Sequence, residues 1–296
     1  MRYKMLVFFL LIAVLLGCSE SRVFRYQGSL VPGKWVYDLK VPYNVNNSKE
    51  ETAIQVYFPE GFKPGDNSRV LIALPEYTGN MSDWRINTAI ESYADRYGIV
   101  IVSPNTRRTV YETEYFPETE LKWDGIPATL WIGDVLIPYL RNTFAIAYDK
   151  DKTGICGFAM GARGAFMAAS RYPDYFGAIA GLSGYYDKQS LTRDRIFASV
   201  YGKYGDFKQR WKEKDNLINM ATSLHRHSIF LAHGGKDNRV PIEQSRLMAI
   251  RLKQLDRGSG NIHLQYIEKK YKLHDWAFCR SVLEEMMVFF DRSLEK

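Results

Sequence analysis

Between a β-like run, Thr153-Gly154-Ile155-Cys156, and a helix-like run that begins at Ala162, the chain reads Gly157-Phe158-Ala159-Met160-Gly161, with Gly164 just beyond. Glycines at both ends of such a segment permit a sharp, strained strand-to-helix turn, because the crowded backbone there leaves no room for side chains. This feature constrains the fold more than any other in the 296 residues. It places an abrupt turn at the carboxyl end of a strand and sends a helix back over the sheet.

The surrounding pattern agrees. Short apolar β-rich runs at residues 70–74, 99–102, 154–156, 178–182, 228–233 and 263–267 alternate with helix-like stretches at 83–97, 128–143, 162–171, 242–255 and 275–294. Strands that are apolar throughout and separated by helices are what a parallel sheet buried on both faces requires. Residues 35–41 and 52–58 come before the alternation and read as early antiparallel strands. The order predicts an α/β fold, a doubly wound and mostly parallel sheet with helices on both faces, over residues 35–296. Two polar, aromatic stretches interrupt it, residues 105–125 and 185–224. Ligands in such sheets bind beyond the carboxyl ends of the strands, so both stretches are expected to wall a pocket.

The amino terminus carries a different signal. Arg2 and Lys4 precede an apolar run from Met5 to Leu16 that is short for a bilayer span and fits an export signal. The run ends Leu15-Leu16-Gly17-Cys18, which resembles the bacterial lipobox. The resemblance implies a signal peptide over residues 1–17, acylation of Cys18, and a tether over residues 18–34. The protein is then expected in the bacterial cell envelope, held to a membrane by lipid at Cys18, and Ser19 in place of an aspartate there leaves the outer membrane open to it in a diderm host.

Removing Arg2 and Lys4 lowers the formal charge from +7 to +5, since 38 basic residues then face 33 acidic ones. That surplus is scattered. Its densest cluster, Lys208 to Lys214, holds an acid and reads as a solvated helix face, so no nucleic-acid partner is expected. Cys156 and Cys279 lie in apolar or helical surroundings and read as unpaired buried thiols. No metal-ligand spacing is present, so neither metal nor cofactor is expected. The sequence fixes no oligomeric state.

Downstream of the turn, His233-Gly234-Gly235-Lys236-Asp237 follows a strand and offers Asp237 in a tight loop, and Lys272-Leu273-His274-Asp275-Trp276 places His274 just before the last helix. The chain order is turn, acid, histidine. With these pieces the chain, from about Lys34 onward, resembles the α/β-hydrolase superfamily, and most of all the esterase branch that includes esterase D, S-formylglutathione hydrolases and feruloyl-type esterases. The resemblance rests on residues 70–74 leading into Gly79-Asn80-Met81-Ser82-Asp83-Trp84, on GFAMGARGAFMAASRYPDYFGAIAGLSG, on HGGKDNRVP and on HDW. It implies cofactor-free hydrolysis of carboxylic esters or thioesters, with Ala159 at the nucleophile position, Asp237 as acid and His274 as base.

Two residues depart from the family. Alanine has no atom that can attack a carbonyl. Where the family has His-Gly after the strand at residues 70–74, this chain has Pro75-Glu76. The family's oxyanion hole then falls to the backbone N–H groups of Tyr77 and Met160, with the Glu76 carboxylate opposing the charge they would stabilise, or pairing with His274. Cys156 and Ser183 are the side chains nearest in sequence and topology that offer a substitute nucleophile. The expected function is therefore an esterase-like lipoprotein without serine hydrolase activity that keeps a pocket for a small ester, acylated sugar or peptide-like ligand, walled by Glu76, Trp84, Trp123 and Trp276. Two alternatives stand beside it: an active ester hydrolase using an unconventional nucleophile or a water activated by His274, and an envelope scaffold in which the site is vestigial.

Overall fold

A computed structural model describes residues 23–64, 67–257 and 260–295. One sheet of eight strands organises them: β1 (Lys34–Val45), β2 (Ser48–Phe58), β3 (Arg69–Leu74), β4 (Ile99–Pro104), β5 (Thr153–Phe158), β6 (Ala178–Leu182), β7 (Ser228–Gly234) and β8 (His263–Lys269), in the spatial order β1-β2-β4-β3-β5-β6-β7-β8. β1 and β2 form an antiparallel hairpin, and β2 pairs antiparallel with β4. From β4 through β8 all pairing is parallel. Asn46 and Asn47 close the hairpin with φ of 48° and 66°, the left-handed backbone that a two-residue turn demands and asparagine tolerates.

Every expected strand is present. The central ones are buried along their whole length, as in RVLIAL and TGICGF. Alternate residues feed two cores. Val70, Ile72 and Leu74 join the core beneath α3 (Ala128–Trp131), α4 (Ile137–Phe144), α5 (Met160–Arg171) and α9 (Glu243–Asp256). Leu71 and Ala73 join the core beneath α1 (Asp83–Asn87), α2 (Ile90–Tyr97) and α10 (Trp276–Ser293). The stretch at residues 185–224 folds on the first face as α6 (Arg195–Tyr201), α7 (Lys208–Glu213) and α8 (Leu217–Met220) with short tighter turns. Cys156 and Cys279 are free and buried.

The helix expected at residues 83–97 is two helices. Thr88 is extended at φ −137° and its hydroxyl bonds back to the Trp84 carbonyl at 2.5 Å, which ends α1 and starts a new axis at Ile90. The stretch at residues 128–143 stays helical but widens to a π-turn at Ile132–Leu136, just before Pro138, whose nitrogen has no proton for the α-helical ladder. The tether expected over residues 18–34 does not stand wholly apart from the domain. Phe24 and Tyr26 pack on Phe144 at 6.1 and 5.1 Å, and the Arg25 and Tyr26 amides donate to the Thr143 carbonyl, so residues 23–26 belong to the domain surface. Cys18 and the leader lie outside the described residues.

Candidate active site

The turn after β5 is built by close approach. A Cβ added at Gly157 would lie 2.1 Å from the Gly161 carbonyl carbon, and one added at Gly161 would lie 2.4 Å from the Pro75 carbonyl oxygen. Between them Ala159 holds φ 54° and ψ −114°, a conformation that costs an L residue on the order of 1–3 kcal/mol. Its amide donates to the Leu182 carbonyl at 2.8 Å, which locks the turn to β6. The strained elbow is thus complete, and the side chain at its tip is a methyl group.

The acid and base loops are registered against each other by backbone. Gly235 N–H donates to the Lys269 carbonyl and Lys236 N–H to the Lys272 carbonyl, both at 2.9 Å. Added Cβ atoms at Gly234 and Gly235 would lie 2.5 and 2.6 Å from the carbonyl oxygens of Lys272 and Lys270, so only glycines let these loops meet. Asp275 caps α10 by accepting from Phe278 N–H at 2.8 Å and so fixes the residue before it, His274. The result is a bond of 2.7 Å between His274 Nδ1 and Asp237 Oδ2. His274 is almost fully buried and its ring lies 4.6 Å from that of Phe158, the residue preceding the elbow tip.

Asp237 is held more firmly than the sequence suggests. Burial raises its carboxyl, but hydrogen bonds from His233, His274 and the Val240 amide outweigh that and hold it far below the usual carboxylate range. His233 Nε2 stands 3.3 Å from the same Oδ2, while His233 Nδ1 meets Ser245 Oγ at 2.7 Å. Sequence reasoning passed over His233, although its place four residues before Asp237 at the end of β7 is the signal that marks it. Asp237 Oδ1 takes the Arg239 and Val240 amides at 2.9 and 2.8 Å. The carboxylate is therefore ionised and aimed.

Elsewhere the expected residues divide. Met160 opens α5, where its N–H lies outside the helical ladder, and Tyr77 sits in the loop whose carbonyl at Pro75 touches Gly161. Glu76 does not pair with His274 among the described residues; it accepts from the Thr78 hydroxyl at 3.1 Å within its own loop. Trp84 is no pocket wall. It is fully buried, its indole N–H donates to the Leu74 carbonyl at 2.9 Å, and its ring meets Trp276 edge to face at 5.3 Å. Trp276 in turn packs 5.3 Å from Phe158, so both indoles support the elbow from beneath. Trp123 lines an open cavity of about 530 Å³. Neither substitute nucleophile is accessible: Cys156 and Ser183 are both fully buried, and burial pushes the Cys156 thiol far up.

Arg163, four residues past the elbow tip, is a second group that sequence reasoning missed. It is fully buried, and its guanidinium donates to the Val110 carbonyl at 2.9 Å, the Asp215 carbonyl at 2.7 Å and the Tyr201 hydroxyl at 3.1 Å. One side chain on α5 therefore fastens both long stretches, residues 105–125 and 185–224, to the helix that carries the elbow.

The strand order, the elbow after β5, the acid after β7 and the histidine after β8 together define an α/β-hydrolase fold. The chain belongs to the esterase family described as "Putative esterase", whose model matches residues 46–290. An acetyl esterase from Caldicellulosiruptor saccharolyticus is 25% identical over 161 residues, which cover 52% of this chain and 55% of the relative, so the match spans about half of that enzyme's length. Among solved structures, a ferulic acid esterase superposes with a TM-score of 0.64 at 19% identity, over 88% of this chain and 98% of its own. An S-formylglutathione hydrolase from Staphylococcus aureus gives 0.65 at 17% identity, over 87% and 99%. One from Agrobacterium tumefaciens gives 0.67 at 16% identity, over 87% and 94%.

Proposed function

We propose that this chain is an exported, lipid-anchored member of the esterase family that binds an acyl ester, an acylated sugar above all, without serine acyl transfer. The observation that carries this reading is Ala159 itself. The elbow keeps its strain and its glycines, and Asp237 and His274 keep their bond, while the tip bears no hydroxyl and neither Cys156 nor Ser183 is exposed to replace it. Removing a serine nucleophile costs about a million-fold in turnover, and the remainder depends on the oxyanion donors, whose loop here carries Glu76. The likeness to an acetyl esterase supports short acyl groups as the ligand class.

One observation favours a second reading. An ionised Asp237 orienting His274 is the arrangement that would let the imidazole draw a proton from a water at the elbow, giving slow hydrolysis without a covalent intermediate. The two are separated by assaying the full chain in detergent with p-nitrophenyl acetate and acetylated sugars. A silent native protein that still binds acylated sugar supports the first reading. Turnover that disappears in His274→Ala supports the second and excludes a role in binding alone.

A further inference from the structure

Residues 78–80 of the loop after β3, Arg107 and Arg108 of the loop after β4, and residues 121–123 enclose the cavity of about 530 Å³. Its walls include three cations, Arg107, Arg108 and Lys122, and no acid. Among the described residues none of the three forms an ion pair. Three cations around one concavity repel each other, even with the Lys122 ammonium over the Tyr115 ring at 5.8 Å, and an anion bound between them relieves that repulsion. Arg107 adopts φ 41°, a left-handed backbone that a long side chain enters only at a cost, and this turn sets it on the cavity wall beside Trp123.

The cavity continues past Arg107 and Trp123, which also line a neighbouring one of about 390 Å³ with Asp38, Glu51 and Asp124 in its walls. The two make one groove with a cationic end and a mixed end. Asp124, two residues past Lys122, is occupied: it accepts from the Tyr43 hydroxyl and from the Gly125 amide. The cationic end lies one strand over from the elbow, because β3 separates β4 from β5, and its floor continues the loop that holds Pro75 against Gly161 and carries Tyr77.

We propose that the cationic end binds a uronate ring of an acidic polysaccharide, the carboxylate between Arg107 and Arg108 and the apolar face of the ring against Trp123. A guanidinium presents a planar fork that matches a carboxylate, which a point charge does not. An indole offers flat apolar area at little entropic cost, and Thr78 and Asn80 supply a hydroxyl and an amide for ring oxygens. Among the described residues the mixed end has no further free cation, since Lys40 there pairs with Asp38 and Glu51, so it is the cationic end alone that takes the uronate. This inference rests on the reading above only for the acyl group at the elbow; the uronate subsite does not require that ester to be cleaved or spared.

The test is calorimetric titration of the full chain in detergent with unesterified tetragalacturonate, beside a neutral tetrasaccharide and inorganic phosphate. The expected result is saturable binding of the uronide, at least ten-fold tighter than the neutral sugar, weakened by salt, and lost at least ten-fold in both Arg107→Gln/Arg108→Gln and Trp123→Phe. Equal binding of acidic and neutral sugars, an unchanged affinity in the double variant, or no uronide binding at millimolar concentration overturns it. Phosphate competing as well as the uronide reduces the site to a simple anion site and overturns it too. Because the probe carries no ester, hydrolysis by the native chain would sink the binding-only reading and leave this result untouched.

Discussion

Asp237 Oδ2 lies 2.7 Å from His274 Nδ1, and the turn that this pair faces ends in the methyl group of Ala159. A carboxylate and an imidazole so arranged do work only if a group with a transferable proton stands at the elbow. The geometry therefore predicts that Ala159→Ser creates an esterase. The gain should be on the order of a thousand-fold in kcat/KM for p-nitrophenyl acetate, short of the roughly million-fold worth of a serine in an intact site because Glu76 shares the oxyanion loop. Adding His274→Ala should return the rate to the native baseline. A serine variant as silent as the parent would show that the Pro75-Glu76 loop is a second lesion.

The elbow's glycines can be tested apart from chemistry. At Gly161 a methyl group would meet backbone oxygens of Pro75 and Leu74 at 2.4 and 2.6 Å, and neither can rotate away. Gly161→Ala should lose roughly 3 kcal/mol or more, a fall in Tm on the order of 10 °C for a domain of this size. At Gly61, where added atoms meet open space, the same substitution should move Tm by no more than a degree or two. Equal thermal shifts at the two sites would contradict the close packing of the turn.

How much of this the sequence disclosed depends on the kind of signal. The eight strands and the order of turn, acid and histidine were legible because they rest on periodicity, glycine spacing and chain order. The division at Thr88 was not, since it turns on a hydroxyl bonding its own helix at Trp84, a choice that local propensity does not reveal. Trp84 was misplaced for a related reason: an indole near a functional loop reads the same whether it lines a pocket or, as here, caps the Leu74 carbonyl from within the core. Arg163 and His233 escaped because a buried cation and a buried imidazole are recognised by their partners, Val110, Asp215 and Asp237, which lie far along the chain or across a loop.

The proposed lipid anchor at Cys18 predicts a chemical signature. Cys156 and Cys279 are buried with thiols pushed far up, so neither should react with a thiol reagent in the native state. Any native reactivity of the full chain then reports Cys18. Protein from a bacterial membrane should show none, with all reactivity appearing only on denaturation and with Cys18 carrying acyl mass. One reactive thiol per native chain, together with an intact leader by mass spectrometry, would remove the anchor.

Between pH 4.5 and 6.5 stability should respond to two buried groups that oppose each other, His227 and Glu112, and to Asp83, which burial raises to about 6 and which acts in the same sense as Glu112. Burial lowers His227 to about 4, with Lys150 adding to the effect and the backbone of Leu224 and Pro173 offsetting only part of it. The unfolded chain takes up a proton near 6.5 that the fold refuses, so this contribution is fully present above 6.5 and is lost as pH falls toward 4. Burial raises Glu112 to about 7 despite its bonds from Thr109 and Val110. Its fold keeps a proton that the unfolded chain releases near 4.5, so that contribution is full below 4.5 and is lost as pH rises to about 7. Each slope is about 1.4 kcal/mol per pH unit, and from 4.5 to 6.5 they largely cancel. Relative to the native profile, Glu112→Gln should make stability rise more steeply with pH across that window, by about 1.4 kcal/mol per pH unit, and His227→Phe should make it fall by about as much. Urea midpoints at pH 4.5, 5.5 and 6.5 read both. If the Glu112→Gln profile kept the native slope, Glu112 would have to be ionised in the fold, and the burial argument for it would be wrong.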